Sequence, residues 1–205
     1  MIATLPTMSP QQSPTSWWTW ANLLTGLRFV VCLPLFVSLA WAWWWMAEVL
    51  LLIAAVSDWL DGWLARRTQT VTALGRNLDP LADKVLVCGS LVFLLPQPEA
   101  GVAHWMVAII VIRELLITSL RSLVEQAGLP FGAALLGKLK MVLQMLALIA
   151  VVACLALVQN MPHWSTALRP MLSGLRDGLL WATVIVTLVS GLQYLARAYA
   201  VLLQD

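Results

Sequence analysis

The stretch Asp58-Trp59-Leu60-Asp61-Gly62-Trp63-Leu64-Ala65-Arg66 is followed, after eight further residues, by Gly75, Asp79 and Asp83. It places four carboxylates and two glycines in a sequence that is otherwise apolar for most of its length. Only two other aspartates occur, Asp177 and Asp205. Ionisable side chains at membrane depth are costly and usually functional. We therefore treat this aspartate cluster as the candidate functional centre.

The composition indicates an integral membrane protein. Of the 205 residues, 61% are hydrophobic and 11% are charged, whereas about 25% are charged in an average soluble domain. A single soluble core could not hide so much apolar surface. The formal net charge is only +2, and the absence of a polybasic tail argues against a nucleic-acid partner. The three cysteines lie in apolar runs, which favours buried free thiols over a disulfide or a zinc site.

The chain is predicted to be a flexible amino-terminal tail, 1–16, followed by one membrane domain, 17–205. The tail is rich in Pro, Ser and Thr and lacks the basic and apolar regions of a signal peptide. Trp17, Trp18 and Trp20 suit the water–lipid interface. They are compatible with a short helix lying along the membrane or with the beginning of the first spanning helix.

Apolar segments of about 20 residues predict an all-α fold with six transmembrane helices. The predicted spans are 23–41, 46–64, 74–95, 102–124, 134–158 and 178–199. Pro80 suits the first turn of a helix, which would move the start of the third helix to about that residue. Pro162 and Pro170 predict a longer connection over 159–176 before the last helix.

The distribution of basic residues predicts the orientation. With a cytoplasmic amino terminus, most of them lie toward the cytoplasmic half: Arg66, Arg67, Arg76, Lys84, Arg121, Lys138, Lys140 and Arg197. Arg169 and Arg176 lie in the opposite loops. This orientation puts the four aspartates at the cytoplasmic ends of the second and third helices.

Helical spacing arranges the aspartate stretch in two stripes. Asp58 and Asp61 share one helix face about one turn apart, and the small residues Gly62 and Ala65 extend that face. On the next helix, a second stripe steps by fours through Gly75, Asp79 and Asp83. Two antiparallel helices joined by a short turn would bring the stripes together.

Clustered carboxylates repel one another and need cations. One alternative is ordinary salt bridges with the neighbouring basic residues, which are Arg66, Arg67, Arg76 and Lys84. The other is bound metal, and oxygen ligands without Cys or His favour Mg²⁺, Mn²⁺ or Ca²⁺. Two such ions sharing carboxylates suit displacement at phosphorus, and Arg66 then suits a phosphate contact.

The same residues carry a family resemblance. From Asp58 to Asp83 the chain matches, without a gap, the signature D-x2-D-G-x2-A-R-x8-G-x3-D-x3-D, and so resembles the CDP-alcohol phosphatidyltransferase family. The resemblance implies a six-helix membrane enzyme, usually a homodimer, with a site for two Mg²⁺ or Mn²⁺ ions. Such enzymes transfer a phosphate-bearing group from a CDP-linked donor to an alcohol and release CMP.

The resemblance also implies residue roles. The metal ligands would be Asp58, Asp61, Asp79 and Asp83, with Asp83 also the catalytic general base. Arg66 would contact the donor diphosphate. The remaining positions near a CDP-diacylglycerol donor would be Asn22, Thr25, Gly62, Ala65 and Gly75. The stretch from Asn22 to Arg28 resembles bacterial members that use glycerol 3-phosphate. The alternative is that Asn22 or Thr25 caps the start of a helix.

Cationic residues in the second half of the chain suit a phosphate-bearing acceptor such as sn-glycerol 3-phosphate. The candidates for binding it are Arg113, Arg121, Lys138 and Lys140. Alternatively, Arg113 pairs with Glu114 or with an aspartate, and Arg121 and Lys140 are edge charges attracted to anionic lipid. Met141 stands where members of the family often have Thr, so this part of the predicted acceptor site departs from the family pattern.

These observations together predict a multi-pass enzyme of the bacterial cytoplasmic membrane, in contact with membrane lipid and with its active site facing the cytoplasm. Within the family, the alternatives to an enzyme that uses glycerol 3-phosphate as acceptor are a cardiolipin synthase and a phosphatidylinositol phosphate synthase. An ion transporter is the alternative from another class. It is disfavoured because the charges cluster at one membrane edge, whereas transporter sites lie near the midplane.

Overall fold

The computed structural model describes residues 20–68, 73–126, 135–160 and 162–202, and these residues are almost entirely helical. The six α-helices are α1 (Trp20–Ala40), α2 (Trp44–Thr68), α3 (Ala73–Leu94), α4 (His104–Gln126), α5 (Leu135–Asn160) and α6 (Pro162–Leu202), with a 3₁₀ helix at Pro98–Ala100. The all-α prediction is confirmed for this part of the chain. The predicted tail, Trp17 and Trp18 lie outside it.

Two predictions about helix ends are wrong. Helix α3 begins at Ala73, so Pro80 lies inside the helix rather than in its first turn. Helix α6 begins at Pro162, so most of the predicted connection 159–176 is helical and Pro170 lies within α6. Pro162 fits the first position of a helix, where no backbone donor is needed. Neighbouring groups can compensate for the hydrogen bond that an internal proline removes from a helix in a membrane.

Contacts with the α3–α4 connection hold the first half of α6 in place. Arg169 Nη2 lies 2.8 Å from Glu99 Oε1, and Arg176 donates to the backbone oxygen of Glu99. Arg176 Nε also donates to Asp177 Oδ1 at 2.8 Å. Gly101 has a φ of 68°, and a Cβ at this position would lie 2.8 Å from Arg176 Nε. Glycine is therefore required where the connection passes α6.

The helices pack around one main apolar core. Helix α1 packs against α2 and α3, α5 packs against α2 and α6, and α4 packs against α6 and α3. Fully buried leucines and valines from four helices fill the centre: Leu35, Leu39, Leu51, Leu86, Leu94, Leu148, Val151 and Val152. Phe36 of α1 stacks on Phe93 of α3, with ring centroids 5.2 Å apart. Gly89 leaves the space that the Phe36 ring occupies.

Two segments of the described residues are long and apolar enough to cross a membrane, Leu136–Asn160 and Leu168–Tyr199. Gly26–Ala40 is a shorter apolar helix. Large apolar side chains are also exposed on the outside of the bundle, among them Leu33, Ile112 and Leu192. Extensive exposed apolar surface is typical of a membrane-contacting protein. The other predicted crossings stay predictions.

Candidate functional site

Arg28 of α1 joins two of the four aspartates. Its Nη1 donates to Asp83 Oδ1 at 2.6 Å, and its Nη2 lies 3.2 Å from Asp58 Oδ1. Arg28 is only 3% exposed, whereas the side chains of Asp58 and Asp83 are 49% and 22% exposed. Asp58 belongs to α2 and Asp83 to α3, so one buried guanidinium connects three helices. We call Arg28, Asp58 and Asp83 the carboxylate centre.

The other predicted members of this centre lie on the same three helices. Helix α2 carries Asp61 about one turn after Asp58, and α3 carries Asp79 about one turn before Asp83. The remaining predicted donor residues are also helical: Asn22 and Thr25 in α1, Gly62, Ala65 and Arg66 in α2, and Gly75 in α3. The structure does not describe their side chains or those of Asp61 and Asp79, so their roles stay predictions.

The chemistry of the carboxylate centre fits a divalent cation. Two carboxylates from different helices converge on one positive group and keep part of their surface accessible. Oxygen ligands of this kind are those that Mg²⁺ and Mn²⁺ prefer. Among the described side chains, no group of three or more potential metal ligands occurs. Asp61 and Asp79 do not belong to that described set.

A second cluster of charged side chains lies between α4 and α5. Lys140 Nζ donates to Glu114 Oε1, and both side chains are buried. Arg113 Nη1 lies 3.4 Å from the same Glu114 oxygen. The structure thus brings two predicted acceptor-binding cations to one carboxylate. It also shows the pairing of Arg113 with Glu114 that the sequence left open.

Helix α6 holds the guanidinium of Arg113. Arg113 Nη2 donates to Ser190 Oγ at 2.9 Å, and its Cζ lies 5.7 Å from the centroid of the Tyr194 ring. A cation within about 6 Å of an aromatic ring centroid is attracted by the ring face. A Cβ at Gly191 would lie 3.2 Å from Arg113 Cγ, which is a tight contact. The position of Arg113 therefore depends on small and polar residues of α6.

Lys84 of α3 joins this second cluster of charged side chains. Its Nζ donates to Thr118 Oγ1, which in turn donates to the backbone oxygen of Glu114 at 2.5 Å. We call Lys84, Arg113, Glu114 and Lys140 the cation cluster. Since Lys84 directly follows Asp83, the cation cluster and the carboxylate centre adjoin along α3.

Arg121 and Lys138, the other predicted acceptor-binding residues, are exposed. Arg121 lies on α4, two turns beyond Arg113, and Lys138 lies on α5, two residues before the buried Lys140. Neither takes part in the contacts that define the cation cluster. Their predicted role at the acceptor is untested by these contacts.

The sequence did not predict the contacts of Arg28, Ser190 and Tyr194. Arg28 stood at the end of a recognised stretch, but nothing in its spacing showed that it would meet Asp58 and Asp83. A signal did exist for the other two. The buried polar residues of α6 recur at helical spacing as Thr183, Thr187, Ser190 and Tyr194. Such a stripe in an apolar helix marks a polar interior face.

Comparison with known proteins identifies the family of the chain. The family model for CDP-alcohol phosphatidyltransferase matches residues 18–189. The chain is similar to three proteins named CDP-diacylglycerol–glycerol-3-phosphate 3-phosphatidyltransferase. One, from Bacillus subtilis (strain 168), is 36% identical over 154 residues, which are 75% of this chain and 74% of that protein.

The other two are from Salmonella typhimurium (strain LT2) and Escherichia coli (strain K12). They are 34% identical over 190 residues and 33% identical over 191 residues, respectively. Each alignment covers 90% of this chain and 97% of the relative. Since both the family model and these relatives cover most of the sequence, the chain belongs to the CDP-alcohol phosphatidyltransferase family.

Proposed function

We propose that the protein is a CDP-diacylglycerol–glycerol-3-phosphate 3-phosphatidyltransferase. It transfers the phosphatidyl group of CDP-diacylglycerol to sn-glycerol 3-phosphate and produces phosphatidylglycerophosphate and CMP. Family membership supports the CDP-linked donor, and the names of the relatives support the acceptor. The observation that carries the proposal is the adjacency, along α3, of the carboxylate centre and the cation cluster.

Two divalent cations, Mg²⁺ or Mn²⁺, are assigned to Asp58, Asp61, Asp79 and Asp83. The convergence of Asp58 and Asp83 supports this assignment, as does the position of the other two aspartates one turn away on the same helices. When bound, the ions supply positive charge that neutralises the donor diphosphate and stabilises the leaving CMP.

Asp83 is assigned as the general base. It takes the proton from the acceptor hydroxyl, whose oxygen forms a new bond to the phosphorus of the phosphatidyl group. The bond between that phosphorus and the CMP oxygen breaks, and its electron pair leaves with CMP. The partial exposure of Asp83 beside Lys84 supports this role, because the acceptor must reach the carboxylate from the side of the cation cluster.

The donor nucleotide is assigned to signature positions of α2 and α3 and to two residues of α1. Arg66 contacts the diphosphate, while Gly62, Ala65 and Gly75 leave room for the cytidine. Asn22 and Thr25 lie near the nucleotide from α1. The match to the family signature supports Gly62, Ala65, Arg66 and Gly75, and the resemblance of the stretch from Asn22 to Arg28 to bacterial members supports the two residues of α1.

The cation cluster supports an acceptor that carries a phosphate. Arg113 and Lys140 provide two positive groups, and Arg121 and Lys138 add exposed positive charge on the same two helices. Arginine and lysine bind phosphate oxygens through charge-assisted hydrogen bonds. A neutral alcohol would have no need of these positive groups.

The proposal includes six transmembrane helices, a homodimer and a bacterial cytoplasmic membrane with the active site facing the cytoplasm. The two long apolar helices and the exposed apolar side chains support the membrane-spanning bundle, and the asymmetry of the basic residues and the bacterial relatives support its membrane and orientation. The homodimer is supported by family membership alone. Membrane lipid surrounds the bundle in this arrangement and delivers the donor.

An acceptor panel tests the proposal. Purified protein is incubated with labelled CDP-diacylglycerol and, separately, with glycerol 3-phosphate, phosphatidylglycerol or inositol phosphate, and CMP release is measured. We expect release with glycerol 3-phosphate. Release only with phosphatidylglycerol would indicate a cardiolipin synthase, and release only with inositol phosphate a phosphatidylinositol phosphate synthase. Ion flux across vesicles without CMP release would indicate a transporter.

A further inference from the structure

We infer that Arg28 is a positioning residue that holds Asp58 and Asp83 in the arrangement in which they bind divalent cations. The inference rests on the proposed function, because that function requires the cation site. It concerns a residue of α1, outside the aspartate-bearing helices.

The contact geometry supports this role. Two nitrogens of one guanidinium meet Oδ1 of two carboxylates, at 2.6 Å for Asp83 and 3.2 Å for Asp58. The guanidinium is planar and presents its donors in a rigid fork. It therefore fixes the separation of the two Oδ1 atoms and so the register of α2 against α3. Metal-binding carboxylates are commonly oriented by such hydrogen bonds from a second group.

Because Arg28 is buried, the surrounding core holds its side chain in one position. It is 3% exposed, and the next residues on the same face of α1, Cys32 and Leu35, are 2% and 0% exposed within the core. A buried charge is tolerated only when it is paired. Without the guanidinium, the two carboxylates that it holds together would repel each other. The arrangement therefore depends on Arg28 before any cation arrives.

The alternative role for Arg28 is competition, in which its charge only substitutes for a cation. The two roles predict opposite signs. If Arg28 competes, its removal takes away a repelling charge and tightens cation binding. If Arg28 positions the carboxylates, its removal weakens cation binding, because the ligands are no longer held in register.

Mn²⁺ binding in the absence of substrate distinguishes the two roles. The full chain is purified in detergent or nanodiscs, and free Mn²⁺ is titrated by electron paramagnetic resonance. For Arg28→Gln we expect binding weaker by about 10–100-fold, the usual effect of losing an outer hydrogen-bonding partner. Arg28→Lys keeps the charge but lacks the fork, so we expect an intermediate affinity.

Arg169→Gln is the matched control. It removes an exposed arginine that pairs with Glu99 on the other side of the bundle, and we expect the Mn²⁺ affinity of the wild type. Circular dichroism and thermal unfolding show whether each variant is folded. If Arg28→Gln does not fold, Arg28→Lys carries the test. In that variant, added Mn²⁺ should restore kcat, while the KM for glycerol 3-phosphate stays that of the wild type.

The inference is overturned if Arg28→Gln or Arg28→Lys binds Mn²⁺ as tightly as the wild type or more tightly. It is also overturned if the wild type binds no Mn²⁺, or if neither variant folds while Arg169→Gln does. The proposed function fails separately. A wild-type protein that binds Mn²⁺ but releases no CMP would contradict the function, while the Mn²⁺ titrations would still decide the role of Arg28.

Discussion

Asp83 and Lys84 are consecutive residues of α3, yet they contact different helices. Asp83 accepts a hydrogen bond from Arg28 of α1, and Lys84 donates one to Thr118 of α4. Consecutive residues of an α-helix project about 100° apart, so α3 presents a carboxylate to one neighbour and a cation to the other. The proposed base thus adjoins the cation cluster, which contains two of the proposed acceptor-binding residues, Arg113 and Lys140.

Asp83→Asn should lower kcat by at least about 100-fold, which is the lower end of the contribution of a general base. CMP release is measured at saturating Mn²⁺, so that a weaker cation affinity alone cannot explain the loss. Asp177→Asn changes an aspartate on the opposite side of the bundle that pairs with Arg176 and should leave kcat near the wild-type value. Full activity of Asp83→Asn would exclude the base assignment.

Arg113→Lys should raise the KM for glycerol 3-phosphate while leaving the KM for CDP-diacylglycerol near that of the wild type. Lysine cannot donate to Ser190 and at the same time lie over the Tyr194 ring, as the guanidinium does. A hydrogen bond to a charged group contributes about 1.5–3 kcal/mol, so we expect a KM increase of about 10–100-fold. Steady-state kinetics with each substrate varied in turn would measure it. An unchanged acceptor KM would remove Arg113 from the acceptor site.

Two glycines of α6 provide a matched pair of variants. A Cβ at Gly191 would lie 3.2 Å from Arg113 Cγ, whereas a Cβ at Gly178 would meet nothing within 4 Å. Gly178→Ala should raise the unfolding temperature without changing the acceptor KM, because alanine favours a helix over glycine by about 1 kcal/mol. Gly191→Ala should raise the acceptor KM by displacing Arg113. An equal acceptor KM for both variants would show that acceptor binding does not depend on the position of Arg113.

The buried pair of Lys140 and Glu114 predicts non-additive stability. Glu114→Gln or Lys140→Met leaves a buried charge without its main partner, which costs about 3–5 kcal/mol. The double variant removes both charges and should recover much of the unfolding temperature that either single variant loses. Thermal unfolding of the four proteins forms a double-mutant cycle. Losses that simply add would show that the two side chains are energetically independent.

The sequence predicted the helices well where apolar segments are bounded by turns. It failed at the prolines, since Pro80 and Pro170 lie inside α3 and α6. Local preference marks a proline as a helix boundary, but contacts of Arg169 and Arg176 with Glu99 hold the segment around Pro170 against the α3–α4 connection. Those contacts join residues far apart in the chain, so no local pattern reveals them.

The candidate site was predictable where spacing within one helix carries the information. The two aspartate stripes and the pair Arg113 and Arg121 of α4 were found in this way, whereas Lys138 and Lys140 of α5 were proposed from their charge. Contacts between helices were not predictable, because the partner depends on how α1 and α6 pack. Arg28 reaches Asp58 and Asp83 from α1, and Ser190 and Tyr194 reach Arg113 from α6.

The incorporation of labelled glycerol 3-phosphate into lipid tests most directly the proposed transfer of the phosphatidyl group to this acceptor. Purified protein is supplied with CDP-diacylglycerol and Mn²⁺, and the labelled product and CMP are quantified together. We expect phosphatidylglycerophosphate and CMP in equal amounts, and neither product when the divalent cation is chelated. The absence of labelled lipid at saturating cation and donor, from protein that is folded and binds Mn²⁺, would contradict the proposed transfer.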